Sequence, residues 1–468
     1  MKIEQIYTGC LAEAAYYIES EGEAAIIDPL REVSPYLDMA SADGANIKFV
    51  FETHFHADFV SGHLDLAKKT GAAIVYGPTA KPDFEAYIAE DGEELKLGKV
   101  TLKVLHTPGH TMESSCFLLI DEYGVPHALF TGDTLFIGDV GRPDLAVKSD
   151  LSREDLAGLL FDSLRNKIMT LSDDIIIYPG HGAGSACGKN MSKETSDTLG
   201  RQRLFNYALA PRMSREDFIE KVTSGLVAPP QYFPKNASIN KQGYESIDHI
   251  LRRGTAALYP NQFDELQQRH QALILDTRPS QDYIESHIPG SLWIGIDDNF
   301  APWVGALIED LEREIVFISE QGKEEEVVTR LARVGYDHAI GYLDGGVEAW
   351  KRSGRKTTSI KSIGPHDFVG LFDTQLLHVL DVRKASEFDA QHVEGVVNFP
   401  LDFIFQNLSE LNPDLKYYVH CQGGYRSMIA CSILSNHGFH VVNIEGGLNE
   451  IKKSCVQVTA YKEPETML

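Results

Sequence analysis

Along the first part of the chain, apolar runs are short and each ends in a polar loop. "AAYYIES" and "EAAIIDPL" are parted by "EGE", the pattern of a hairpin whose second strand ends at Asp28. "IKFVFETH" reads as a buried strand that delivers His54 at its C-terminal end. "SGHLDLAKKTGAAIVYG" reads as a helix, a glycine stop at Gly71 and a further strand. Four more strand-to-loop units follow: "VTLKVLHTPGH", "SSCFLLIDE", "HALFTGDT" and "DIIIYPGH". This layout predicts a two-layer sheet sandwich with a site along one rim. From about Leu199 to Ile250 the chain turns polar and proline-rich, and "VAPPQYFPKNASINKQGY" predicts a helical tail followed by an extended linker.

The remainder of the chain repeats itself. "ALILDTRPSQDYIESHIPGSLWI" (272–294) matches "LHVLDVRKASEFDAQHVEGVVNF" (377–399) position by position, so that Asp276, Arg278, His287 and Gly290 answer to Asp381, Arg383, His392 and Gly395. "IVFISEQGKEEEVVTRLARVGYDHAIGYLDGGVEAW" then matches "YYVHCQGGYRSMIACSILSNHGFHVVNIEGGLNEI". Strand and helix patterns alternate in both, which predicts two small parallel α/β domains joined by the basic linker "KRSGRKTTSIKSIG". The expected division is 1–250, 255–355 and 362–460.

Composition narrows the partners. The formal net charge of -25 repels phosphate backbones and anionic lipid, which excludes nucleic acid and membrane surfaces as partners. No run approaches the ~18 apolar residues of a spanning helix, and the N-terminus lacks a signal-peptide pattern. A cytoplasmic protein is expected, with its six cysteines as thiols.

Asp28, His54, His56, Asp58, His110, Asp133 and His181 fall in that order at predicted strand ends, in loops such as "THFHADF", "TPGHT", "FTGDT" and "YPGHG". So many imidazoles at strand ends have no packing rationale and read as a metal centre. The ensemble resembles the metallo-β-lactamase superfamily over roughly residues 1–250. The resemblance implies an α/β fold with an αββα sandwich here, followed by the two small parallel α/β domains.

One position departs from the two-metal pattern of that superfamily, typified by glyoxalase II. Phe59 stands where the second site takes a histidine, and its ring has no lone pair to donate. A single metal is therefore expected. The sequence is then similar to the mononuclear iron members, the persulfide dioxygenases. That resemblance implies Fe(II), one per chain, on His54, His110 and Asp133. His56, Asp58 and His181 would orient the ligands, Asp58 by accepting a bond from a ring N–H or a bound water. Two imidazoles and one carboxylate with open positions is the set that non-haem iron uses to activate dioxygen. The implied substrates are a low-molecular-weight persulfide and O2, and the implied oxidised product is sulfite. Arg142, in "GDVGRPD", is a candidate substrate-anion contact or a loop brace. Cys187, in "HGAGSACGK", is a candidate sulfur carrier, with Lys189 favouring its thiolate, or an inert buried thiol.

In the second repeat Cys421 opens the loop "CQGGYR" between an apolar strand and a helix. Inward backbone N–H groups and the following helix N-terminus favour an anionic sulfur there. The loop resembles the rhodanese active-site loop. Gly423 and Gly424 allow a tight path, and Arg426 would pair with a sulfur oxide or close the loop through carbonyls. The first repeat has Glu320 and Glu325 at the cysteine and arginine positions, so it is expected to keep the fold without the activity. Cys10, Cys116, Cys431 and Cys455 read as packing residues.

Together the resemblances imply a persulfide dioxygenase fused to an inactive and then an active rhodanese domain, forming or consuming thiosulfate, as a homo-oligomer. Three alternatives stand beside this: a glyoxalase II-like thioester hydrolase, a plain sulfurtransferase on an inert scaffold, and a sulfur-relay carrier.

Overall fold

The structure, a computed structural model, describes residues 1–145, 151–297, 299–372, 376–454 and 456–462. Cys455, expected to be a packing residue, lies outside the described residues. The chain divides into two compact units. One is built from Met1–Ile247 with the short segment Ala332–Gly335, the other from Asp248–Leu331 and from Tyr336 onward. No described helix is long and apolar enough to cross a membrane.

The first unit holds two six-stranded sheets. In spatial order, the first runs Lys2–Thr8, Glu13–Ser20, Glu23–Ile27, Asn46–Glu52, Ala73–Tyr76, Tyr87–Ile88. The second runs Asp197–Thr198, Ile176–Pro179, Pro126–Gly132, Ser115–Ile120, Val100–His106, Glu94–Leu97. Each central strand is apolar on both faces because both faces are covered. Tyr16 and Ile18 enter the core between the sheets, whereas Tyr17 enters the core under the helix Ser34–Asp43. On the second sheet Phe117 and Leu119 face the first, while Cys116 and Leu118 pack against the helices Arg153–Asn166 and Arg215–Thr223. The result is an αββα sandwich.

The rim is set by parallel pairing. Glu23–Ile27 pairs with Asn46–Glu52, and Pro126–Gly132 with Ile176–Pro179. Each pair brings two C-terminal strand ends side by side, placing Asp28 beside Thr53 and Asp133 beside Gly180 and His181. A bridge between Glu13 and His181 ties the two sheets together there, flanked by N–H to carbonyl bonds from Ala14 to Gly180 and from Gly182 to Ala12, both 2.9 Å.

The helical tail expected from Leu199 is present as Leu199–Phe205 and Arg215–Thr223, whereas the extended linker expected after it holds a further helix, Phe233–Gln242. Pro234 misleads in isolation. It sits in the first turn of Phe233–Gln242, where a missing N–H costs nothing and the fixed φ favours the helix. The end of the second expected linker also has structure, since Lys361–Ile363 is an edge strand.

The second unit contains two five-stranded sheets with one strand order and parallel pairing. Shared devices mark the repeats. Arg278 pairs with Asp276 and Arg383 with Asp381. His287 stacks on Tyr283 and His392 on Phe388, each with centroids 3.7 Å apart. The helix Tyr425–Asn436 buries a continuous run from Ser427 to Leu434. It is covered on more than one side because it also meets the strand Leu292–Trp293 of the first repeat. There the Trp293 N–H donates to Ser432 Oγ (3.2 Å), Asn436 Nδ2 donates to the Ser291 carbonyl (2.8 Å), and the Tyr425 hydroxyl donates to the Gly295 carbonyl (2.7 Å).

Helix Arg153–Asn166 presses on the loop that carries His110. Gly109 has φ +147°, and a Cβ there would lie 2.4 Å from Leu160 Cα. Gly109→Ala is expected to cost about 2 kcal/mol or more, from the backbone conformation and the overlap together. A lower denaturant midpoint with unchanged slope, and a lower metal content from the displaced His110, would be measured.

Candidate metal centre and thiol loop

The metal centre is built outward from Asp28. Its carboxylate accepts the Thr53 N–H at 2.7 Å and the Thr53 hydroxyl at 2.8 Å. The Thr53 proton is thus committed, so its Oγ1 accepts from His54 Nδ1, 2.9 Å away. The His110 Nδ1–H donates to the Arg142 carbonyl at 2.8 Å. Both rings are thereby fixed in the tautomer that leaves Nε2 with a lone pair. His54, His110 and Asp133 are all buried, and one donor atom from each lies within 4.8 Å of the others. Nε2 of His110 is 3.4 Å, and of His54 3.9 Å, from Asp133 Oδ2. That oxygen is buried and has no hydrogen-bond partner. An orphaned carboxylate oxygen facing two imidazole lone pairs fits a cation. Burial drives His54 well below the usual imidazole range, with the neighbouring His56 acting in the same direction, so it is a neutral donor at physiological pH.

His181 has a different task. Its Nδ1 lies 2.8 Å from Asp133 Oδ1 and its Nε2 2.7 Å from Asp58 Oδ2. Burial opposes the charged ring, but the two carboxylates outweigh it and hold His181 well above its ordinary range. The two carboxylates favour the ring with a proton on each nitrogen, and the same ring forms, with Asp58 and Cys187, a further group of donors within 4.8 Å of one another. Asp58 accepts from a ring N–H, one of the two roles expected of it. His56 points elsewhere, with Nε2 3.0 Å from Asp28 Oδ1 and 3.6 Å from Glu52 Oε2. The fully buried Phe59 ring packs on His56, centroids 4.3 Å apart.

The other expectations around the centre resolve differently. Arg142 is a brace. Its guanidinium pairs with Asp144 at 2.7 Å and donates to the Ala186 and Val227 carbonyls, the bracing role that was one of the two expected of it. Cys187 does lie close, with Sγ within 4.8 Å of donors on Asp58 and His181. Lys189 gives it no support, because its ammonium donates to the Lys221 and Ser224 carbonyls at 2.7 and 2.8 Å. Burial, then Asp58 and Asp133, push the Cys187 thiol well above its usual range, so thiolate is disfavoured in this environment.

Asn240 went unread in the sequence. Its amide donates to the His56 and Phe59 carbonyls at 2.8 and 2.7 Å and accepts the Ser61 N–H at 2.9 Å, clamping the "THFHADF" loop. A polar residue in a proline-rich stretch gave no signal. Thr53 opens the quoted motif, but its part in fixing the His54 ring was not read from it.

In the second unit Cys421 is buried at the end of the strand Lys416–His420. The Gly424 N–H points at its Sγ, 3.1 Å away, the donor an anionic sulfur needs. Gly424 has φ +108° and requires glycine, whereas Gly423 lies outside the left-handed region and a Cβ there would meet only Asn449, at 3.9 Å. The tight path therefore rests on Gly424 alone. Arg426 neither closes the loop through carbonyls nor stands free. Its guanidinium meets both carboxylate oxygens of Glu387, Nη2 to Oε1 at 2.8 Å. Arg383 is committed to Asp381, to the Gln391 carbonyl and to Gln422 Oε1. The strand register corrects the expected counterpart of Cys421 in the first repeat: Asp276 pairs with Ile318 as Asp381 pairs with His420, so Ser319 stands at the cysteine position and the exposed Glu320 follows it. Cys116 and Cys431 are buried packing thiols, and burial lifts Cys116 to about 11.

The metallo-β-lactamase superfamily profile matches residues 8–181, and the rhodanese-like domain profile matches 259–353 and 365–454. The hydroxyacylglutathione hydrolase GloC of Haemophilus influenzae is 31% identical over 36% of this chain and 85% of its own length. The mitochondrial persulfide dioxygenase ETHE1 of Homo sapiens is 30% identical over 44% of this chain and 73% of its own. A probable hydroxyacylglutathione hydrolase of Schizosaccharomyces pombe is 32% identical, and this chain spans 66% of it. Among solved structures, a metallo-beta-lactamase from Staphylococcus aureus subsp. aureus COL aligns with TM-score 0.64 and 34% identity, covering 73% of this chain and 98% of that one. The chain belongs to the metallo-β-lactamase superfamily, here fused to two rhodanese-like domains.

Asn240→Ala would leave the Ser61 N–H and the carbonyls of His56 and Phe59 without their partner. A loss of roughly 2–4 kcal/mol in urea unfolding is expected, with weaker retention of metal on dialysis.

Proposed function

We propose that the chain is an iron-dependent persulfide dioxygenase joined to a rhodanese-type sulfurtransferase. One observation carries the reading: of the three groups of donors among the described residues, only His54, His110 and Asp133 offer two imidazoles and one carboxylate, the set that suits non-haem iron. Two imidazole Nε2 atoms and Asp133 Oδ2 converge, while Asp58 and His181 are bonded to each other and Phe59 replaces the remaining donor of a second site. His54, His110 and Asp133 would hold a ferrous ion, which would supply a redox change that zinc lacks. The overall conversion balances as persulfide, O2 and water giving thiol, sulfite and two protons. The chain's own groups hold the geometry. Thr53 and the Arg142 carbonyl fix the two ring tautomers, and the His181 Nδ1–H donates to Asp133 Oδ1, leaving Oδ2 outward. The named activity of the human relative supports this reading.

Cys421 completes the chemistry. Sulfite attacks the outer sulfur of a Cys421 persulfide anion, forming the S–S bond of thiosulfate. The bond from Sγ to the outer sulfur breaks, and its electron pair returns to Sγ, facing the Gly424 N–H. The reverse step loads Cys421 from thiosulfate.

The hydrolase relatives support a second reading, thioester hydrolysis, which needs two metals. Anaerobic purification, metal quantification and oxygen uptake with a persulfide separate the two. About one iron per chain with sulfite formation is expected. Two redox-inert ions per chain and thioester cleavage would overturn the proposal. Cys421→Ser is expected to keep oxygen uptake and sulfite while losing thiosulfate. Phe59→His is expected to raise bound metal toward about two per chain and to slow oxygen uptake.

A further inference from the structure

Arg426 follows Cys421 by one loop and is the guanidinium placed to meet a sulfur oxyanion there, Arg383 being committed to Asp381 and to two groups of the surrounding chain. Yet Arg426 is held through both carboxylate oxygens of Glu387, in the helix Ala385–Ala390. Both partners are only partly buried, at 18% and 32% side-chain exposure. Burial works to raise the Glu387 carboxyl, and Arg426 outweighs it, leaving the group below its usual range and so ionised. An oxyanion entering the loop must therefore compete with a resident carboxylate for the same fork.

The chain contains its own control. The first repeat keeps the strand order, the Asp–Arg pair and the stacked histidine, but at the positions of Glu387 and Arg426 it has Asp282 and a glutamate. The fold persists without the clamp, which occurs in the repeat that carries the thiol.

We propose that Glu387 is a specificity-determining residue of the Cys421 site, weakening its hold on sulfur oxyanions so that thiosulfate leaves after transfer. This rests on the sulfurtransferase reading above. In the step concerned, thiosulfate and the Cys421 thiolate exchange with the Cys421 persulfide anion and sulfite: one S–S bond breaks, one forms, and sulfite departs with the electron pair. Three negative charges stand on each side. Glu387 takes no part in bond making and sets the affinity for the dianions through Arg426.

The test uses the full chain, with sulfur transfer from thiosulfate to cyanide as the assay. Glu387→Gln removes the charge at constant size and is expected to lower the thiosulfate KM and the inhibition constant of sulfite by about tenfold. Glu387→Ala serves should the amide refill the same bond. In Glu387→Gln/Arg426→Gln the gain is expected to vanish, since it acts through Arg426. A folded Glu387→Gln protein whose KM is unchanged or higher, with kcat reduced, would mean that Glu387 only braces the loop and would overturn the inference. Failure of the wild-type protein to gain one sulfur on Cys421 from thiosulfate, read by mass spectrometry, would overturn the sulfurtransferase reading and this inference with it. Sulfur uptake by the wild type with unaltered affinities in both single variants would overturn this inference alone.

Discussion

The first unit turns on the unequal use of the two oxygens of Asp133. Oδ1 is held by a protonated His181 that is itself held by Asp58, and Oδ2 faces the imidazoles of His54 and His110 with nothing bonded to it. Two buried carboxylates and one imidazolium leave a net negative charge, and a buried charge without compensation costs several kcal/mol. A cation at Oδ2 relieves that cost. A second cation would have to displace the His181 proton, break its bond to Asp58, and find another donor where the Phe59 ring packs on His56. The change at residue 59 and the clamping of His181 thus act in the same direction.

The order of the candidate metal-binding residues was legible because a sandwich rim is written as apolar runs that each end in a polar residue, and pattern alone locates such ends. The departure at Phe59 was equally readable, since it concerns what a side chain is able to donate. The pairing of His181 was not. Whether an imidazole donates a lone pair or carries two protons depends on which carboxylates flank it, and Asp58 and Asp133 come from loops far apart in the chain. Asn240 was hidden for another reason. Its segment lacks the apolar period that marks a helix, and it is a helix because Pro234 starts it and the first unit covers Phe233, Asn236 and Asn240. Arg142 was left open by the sequence between a substrate-anion contact and a loop brace. Only the positions of Asp144 and two carbonyls reveal a brace.

The tandem repeat separates what the fold needs from what chemistry needs, within one sequence. The Asp–Arg pair at the strand end and the aromatic–histidine stack occur in both halves with nearly the same geometry, so they belong to the architecture. A function read from either would be read from the fold. The buried thiol, the N–H aimed at it and the Arg426–Glu387 clamp occur in one half only. The half without them is nonetheless not idle structurally. Its Gly295 carbonyl receives the hydroxyl of Tyr425, a residue of the thiol loop, and its Trp293 ring sits edge-on to Tyr425 at 5.3 Å. In that half Ser319 stands at the cysteine position, and the loop that follows is exposed and acidic at Glu320. Losing the strand Leu292–Trp293 would uncover the helix whose N-terminus faces Cys421, and that burial is reason enough for a degenerate repeat to keep its fold.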